Sequence, residues 1–222
     1  MASGNNVVDY RSDKRVQERL IDAAEGFFCE HGFEGTSVRD IATAAGCNVA
    51  SVSYYFGGKE RLYMEVWRRR ILAVRDNQIM SIEKVMSTKG SPSLEELLRS
   101  FAEAFIGSLV DEAKSGRLTK LMTREMLDRH LPPNMFVDEM INPTLGVMQK
   151  ALAVTCPKLQ KSQVPLVVFS VIGQLIHAVR VKTMFEQSDR PDLPIFDLAA
   201  MIDHIIKFST AGIRACAGEK TI

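Results

Sequence analysis

Paired cysteines are missing from this chain. The four that occur, Cys29, Cys47, Cys156 and Cys216, form no CxxC motif. Cys29 and Cys47 fall in apolar helical patterns, so the spacing predicts buried, reduced thiols and excludes a disulfide framework. Metal-ligand spacing is missing too. Cys29 and His31 stand two apart on one helix and point to different sides, and His177 with His204 has no third ligand, so no metal centre is expected. There is no GxSxG elbow, no HExxH pair and no phosphate-binding glycine loop. Gly57-Gly58-Lys59 lacks the spacing and the following Ser or Thr. No enzyme and no cofactor is expected. Excess charge is also absent: the net is +1, which excludes a nonspecific polycation. The most apolar stretch, Leu166 to Val181, is interrupted by Ser170, Gln174, His177 and Arg180, and nothing reads as a signal peptide, so a cytoplasmic protein with no membrane partner is expected. Runs of alternating β-branched residues that would call for a sheet, and internal repeats, are likewise lacking.

What the chain has is helical pattern throughout its 222 residues, with 46% hydrophobic residues to supply a core. Residues 1–10 read as a flexible tail. A first helix is predicted from about Ser12 to His31, with Leu20, Ala24, Phe27 and Phe28 on its core side and Gly32 ending it. A long helix from near Gly58 to about Met86 would measure roughly 40 Å at 1.5 Å per residue. Lys89-Gly90-Ser91-Pro92 breaks it. Further helices are predicted at about 93–114, 117–130, 133–154, 162–187 and 195–216, separated by Ser115-Gly116, Pro132-Pro133, Cys156-Pro157 and Arg190 to Pro194.

Residues 36–59, TSVRDIATAAGCNVASVSYYFGGK, are the most informative segment. They read as two short helices about a glycine-containing turn, the arrangement by which one helix braces another in a DNA major groove. Ser37 and Asp40 have capping-box spacing, Gly46 can take the left-handed conformation that ends the first helix, and Asn48 is a good N-cap for the second. At about 100° per residue, Val52 and Phe56, with Tyr55 beside them, face inward, whereas Ala50, Ser53 and Tyr54 face outward, flanked by Val49 and Ser51. Small and hydroxyl side chains suit a groove: Ala and Val meet a thymine methyl, Ser bonds base edges, and a tyrosine hydroxyl reaches phosphate. No acidic residue lies between Asp40 and Glu60. Arg11, Lys14, Arg15 and Arg39 flank the segment on one side and Lys59 on the other, at the start of a helix whose N-terminus would face a phosphate. A patch this small predicts fewer than about eight phosphate contacts per monomer. The same spacing also fits an ordinary short helix pair in an all-α core.

The run from Leu20 to Leu62 resembles the TetR family of bacterial transcription regulators. The residues that carry the likeness are Ala23-Ala24, Phe27-Phe28, Gly32-Phe33, Thr36 to Ala42, Ala45-Gly46, Tyr54-Tyr55-Phe56 and Lys59-Glu60. The resemblance implies an all-α fold: an N-terminal three-helix DNA-binding bundle with a helix-turn-helix (11–58), joined by a long helix to a larger helical ligand-binding and dimerisation domain (59–222). It implies DNA contacts from Thr36, Ser37, Arg39, Asn48, Val49, Ala50, Ser51, Ser53, Tyr54, Tyr55 and Lys59, with Arg39 at a position that can reach guanine. Cys47, Ser53 and Tyr55 depart from the usual Val, Tyr and His of the family. The last two lie at positions that touch DNA there, which leaves the fold intact and the operator sequence open.

The last two helices, 162–187 and 195–216, are apolar on more than one face and predict a homodimer through them. Two recognition helices would then stand about 34–36 Å apart on one side of a double-stranded operator. The middle helices carry Met122, Met126, Met135, Met140 and Met148 with Phe101, Phe105 and Phe136, a composition suited either to an adaptable pocket for a small-molecule effector or to a Met-rich core. Phe101, Phe105, Met122, Arg124, Met126, Met140, Gln174 and His177 are the candidate effector residues. The expected activity is that of a ligand-responsive regulator, a repressor released by a small apolar effector. The alternatives are an activator, or a helical ligand- or protein-binding bundle without DNA binding.

Overall fold

The computed structural model describes residues 5–88, 90–110, 115–186 and 197–219. All regular elements among them are helices: α1 (Asn5–His31), α2 (Val38–Ala44), α3 (Ala50–Phe56), α4 (Lys59–Ser87), α5 (Leu94–Val110), α6 (Ser115–Asp128), α7 (Pro133–Phe136), a π-helical turn (Val137–Ile141), α8 (Asn142–Thr155), a 3-10 turn (Lys161–Gln163), α9 (Val164–Glu186) and α10 (Leu198–Cys216). Residues 5–10, expected as part of a flexible tail, are helical: neither Pro nor Gly interrupts the segment, so α1 starts about two turns earlier than its apolar face suggests. Residues 1–4, Lys89, 111–114, 187–196 and 220–222 lie outside the described residues, and with them the expected break at Arg190 to Pro194 and the ends of the helices beside it.

The chain divides into two compact units, Met1–Leu72 with Glu112–Met135, and Ala73–Asp111 with Phe136–Ile222. The expected boundary at 58/59 is the start of α4; the compact units instead divide within that helix, and α6 belongs to the first.

In the first unit, Leu20, Ala24 and Phe28 of α1 recur every four residues and are fully buried. Each large side chain so buried contributes about 1.5–3 kcal/mol. Phe28 meets Tyr63 of α4 edge-on with ring centroids 4.9 Å apart, the arrangement favoured by ring quadrupoles. Three local devices shape the helix-turn-helix. Ser37 Oγ accepts the Asp40 N–H at 3.1 Å and donates to the Asp40 carboxylate at 2.7 Å, opening α2. Gly46 takes φ +61°, which lets the Cys47 N–H reach the Ala42 carbonyl at 2.8 Å and close it. Asn48 Oδ1 accepts the Ala50 N–H at 2.9 Å and opens α3, which stops at Gly57, φ +74°.

In the second unit, α5 turns Leu94, Leu97, Leu98, Phe101 and Phe105 inward against Met148 and Leu152 of α8, Val168 and Val171 of α9, and Ile206 and Ile213 of α10. Ser93 and Glu96 form a reciprocal cap on α5, and the hydrogen bonds from Ser93 hold the Glu96 carboxyl below its ordinary range. The continuous helix expected over 133–154 is broken by the π turn. Pro143 has no N–H to return to the Glu139 carbonyl and its ring crowds that group, so the backbone widens there. Arg75 Nη1 of α4 donates to the same carbonyl at 3.1 Å.

With the 3-10 turn before it, α9 is long and apolar enough to cross a membrane by length and composition. Here one face, Val164, Val168, Val171, Leu175 and Ala178, is buried in the unit's core. The other presents Leu166, Phe169 and Met184 to solvent, as α10 presents Phe208, which is 64% exposed.

Candidate nucleic-acid interface

α3 buries Val52 and Phe56 and exposes Ala50, Ser53 and Tyr54, the last 78% exposed. Val49 and Asn48 are exposed and Ser51 is half-buried at the flank. Ser37 and Arg39 are exposed at the start of α2. Lys14 and Arg15 are exposed on α1; the Arg11 side chain lies outside what is described. Lys59 stands at the N-terminus of α4 with Nζ 4.4 Å from the centre of the Phe33 ring, so a cation–π contact fixes its stem beside the helix end. The outward face of α3, the Asn48 cap and Lys59 all come from the stretch between Asp40 and Glu60, which contains no acidic residue.

Two expected contact residues are placed differently. Thr36 is buried and its hydroxyl donates to the Gly32 carbonyl at 2.6 Å, so its side chain holds the turn after α1 and cannot reach a phosphate. Tyr55 turns its hydroxyl to Asp13 of α1, donating at 2.6 Å, and lies edge-on to Tyr54 with centroids 4.8 Å apart. It braces Tyr54 rather than presenting its own hydroxyl.

The expected effector residues scatter. Phe101 lines a cavity of about 10 Å³ in the second unit with Leu98, Met148, Leu152, Val168 and Val171, no more than the space for one water. Phe105 is buried one turn further along α5, and Met140 is half-buried in the π turn. Met122, Arg124 and Met126 do not join them, because α6 packs within the first unit. Arg124 donates to the carbonyls of Cys29 (3.2 Å) and Glu30 (2.6 Å) at the end of α1, and Met126 is exposed. Gln174 Nε2 donates to the Ser170 carbonyl (3.2 Å) and Ser209 Oγ (3.3 Å), bracing α9 on α10. His177 lies on the outward face of α9, in register with Phe169, Gly173 and Arg180 rather than with the buried valines.

Sequence reasoning missed the cluster that fastens α6. Glu25, fully buried on α1, accepts from Arg69 Nη2 at 2.7 Å and from Arg70, with Arg117 of α6 at 3.8 Å. Arg68-Arg69-Arg70 reads in sequence as a solvated face; the available signal was Glu25, which falls on the same side of α1 as buried Phe28 and Cys29. Burial pushes the Cys29 thiol up to about 11, although Arg117 opposes the shift, so it is an inert donor to the Arg117 carbonyl at 3.4 Å. Tyr63, its ionisation disfavoured first by burial, stays a donor to Glu125 at 2.9 Å.

The family profile described as "Bacterial regulatory proteins, tetR family" matches residues 20–66, and that of the C-terminal domain of the HTH-type transcriptional dual regulator CecR matches 94–213. The chain belongs to the TetR family. Its transcriptional-regulator relatives include CecR of Shigella flexneri, 25% identical over 154 residues, which are 67% of this chain and 68% of CecR. The probable HTH-type transcriptional regulator YttP of Bacillus subtilis is 51% identical over 44 residues, 20% of this chain and 21% of YttP, so that likeness spans only about a fifth of YttP. In fold, the TetR-family chain is similar to the transcriptional regulator FadR of Bacillus subtilis, solved with stearoyl-CoA: TM-score 0.64, 19% identity, covering 88% of this chain and 98% of FadR. These relatives are regulators rather than enzymes, and an N-terminal helix-turn-helix segment followed by a larger helical part is the arrangement shared with this TetR-family member.

Proposed function

We infer that this TetR-family regulator is a ligand-responsive repressor that binds a pseudo-palindromic operator as a homodimer. The observation that carries the reading is the outward face of α3: Ala50, Ser53 and the 78%-exposed Tyr54 project from a helix pinned by Val52 and Phe56, with Asn48 and Lys59 at its two ends. Ser37, Val49 and Ser51 border this face, and Arg39 supplies the one side chain suited to a guanine edge. The outward apolar residues of α9 and α10 support a two-fold dimer, because Leu166, Phe169, Met184 and Phe208 would otherwise meet water. A role on the chromosome implies a cytoplasmic protein.

A small effector entering the second unit then favours a conformation in which the two recognition helices no longer match the half-sites. A near-complete switch requires about 5.5 kcal/mol of preference for the released state. CecR is named a dual regulator, which favours activation at some operators as the second reading. Gel-shift titration with DNA from the protein's own gene neighbourhood tests the proposal. Wild type should shift a fragment containing an inverted repeat, and Arg39→Ala and Tyr54→Ala should weaken that shift at least tenfold. Equal binding by both variants would refute the interface.

A further inference from the structure

The buried polar side chains of the second unit are Gln78, Thr144, Ser209 and Thr210; none of the charged side chains described there is buried. Ser209 is partnered by Gln174. Gln78 Nε2 and the hydroxyls of Thr144 and Thr210 are buried and have no hydrogen-bond partner. Folded proteins pair nearly all such groups, so three in one core call for a common reason.

Helix register brings them to one level. Asn77 bonds the Ala104 carbonyl and Ser100 bonds the Ser81 carbonyl, so α4 and α5 run antiparallel and Gln78 stands beside the Phe101 to Phe105 turn. Thr144 is one turn from Met148 on the inner face of α8, and Thr210 is about one turn from Ile213 on α10; Phe101, Met148 and Ile213 all line the small cavity. Gln163 donates to the Cys216 carbonyl and Gln174 to Ser209, so α9 and α10 run antiparallel and the step from Ile213 to Thr210 leads the same way as Val168 to Val171. Arg75, one turn before Gln78, donates to the Glu139 carbonyl just ahead of α8, which brings Gln78 toward the Thr144 end of that helix. An apolar space therefore has one polar end that is neutral and rich in donors.

We propose that this end of the second unit's core, formed by Gln78, Thr144 and Thr210, receives the hydrogen-bond-accepting group of an uncharged effector such as a ketone, ester or amide, while the apolar body of the effector separates Phe101, Met148 and Val171. The inference rests on the ligand-responsive reading above and names the ligand class for it. An ionised carboxylate would need a buried cation at this site. Arg75, one turn before Gln78, is committed to the Glu139 carbonyl and to Asp76, and Arg180 lies on the exposed face of α9.

The test is equilibrium dialysis of the full chain against three eight-carbon probes: octane, 2-octanone and octanoate. Wild type should bind 2-octanone about tenfold or more tightly than either of the others, as expected for the gain of paired buried donors. Gln78→Leu and Thr144→Val should remove that preference and leave octane binding unchanged, with thermal midpoints at or above wild type because an unpaired polar atom is lost. Octanoate binding as tightly as the ketone, no binding of the ketone, or full ketone affinity in both variants overturns the proposal. The wild-type comparison stands even if a variant fails to fold. Gel shift separates the two readings: ketone binding without any DNA binding sinks the regulator and keeps the pocket. Release from DNA by octanoate but not by 2-octanone keeps the regulator and sinks the pocket.

Discussion

Glu25 is a charge on the wrong side of an amphipathic helix, and its surroundings explain how it is tolerated. Its carboxylate is 1% exposed, whereas the side chains of Arg70 and Arg69 remain 16% and 39% exposed, so the acid is desolvated and its partners are still partly wet. Such a pair adds little over an apolar replacement, but removing the acid is expensive because Arg70, only 16% exposed, is left with little water to replace its counter-charge. Glu25→Ala is expected to lower the free energy of unfolding by about 3 kcal/mol, read from urea denaturation of the full chain. Arg69→Ala should cost about 1 kcal/mol or less, since it removes one exposed arm and leaves Arg70 in place. Equal losses for the two would mean that Glu25 is not the centre of the cluster. Arg117 and Arg124 extend the same logic to α6, which is held on α1 through Glu25 and through the carbonyls that close α1.

Among elements, the π turn before α8 shows what a local pattern cannot convey. Pro143 announces a disturbed helix, but whether the backbone stops, kinks or widens depends on a donor for the Glu139 carbonyl, and that donor is Arg75, distant in sequence. Arg75→Ala is expected to cost about 1 kcal/mol in wild type and distinctly less in a Pro143→Ala background, where the substituted position regains a backbone N–H of its own. A double-mutant cycle with no coupling would show that the two are independent. Helices with one clear apolar face and a cap, such as α2 from Ser37 and α3 from Asn48, were legible residue by residue, because capping and periodicity are local. So were the outward Ala50, Ser53 and Tyr54. The allocation of α6 to the first unit was not legible, nor was the burial of Thr36: the first follows from contacts such as Arg124 to Cys29 and Glu30, the second from the Thr36 hydroxyl turning back to the Gly32 carbonyl, and no periodicity records either. The methionines of α6 misled for that reason, since their composition suits a pocket and their position excludes them from the second unit's core.

At the scale of the whole molecule, the net charge of +1 and the small basic patch mean that, under the proposed reading, DNA binding would depend on two recognition surfaces acting together. One α3 face, with hydroxyl and methyl readout and a single candidate arginine, offers modest discrimination; joining two of them converts the second contact into an intramolecular one and raises overall affinity by about 10²–10⁴. The outward stripes of α9 and α10 are where that coupling should reside, and they can be attacked without touching the fold, because Phe169 and Phe208 are 47% and 64% exposed within one chain. Phe169→Glu combined with Phe208→Glu is expected to yield a monomer by sedimentation at micromolar concentration. Circular dichroism should be unchanged, and operator affinity should fall about a hundredfold or more. The salt dependence supplies an independent reading of the same quantity. The slope of log affinity against log salt should be near twice that of the monomeric variant, and below the equivalent of about eight phosphates per protomer. A wild type that is already monomeric, or a variant that keeps full operator affinity, would mean that these apolar faces serve some other partner and that each α3 reads DNA alone.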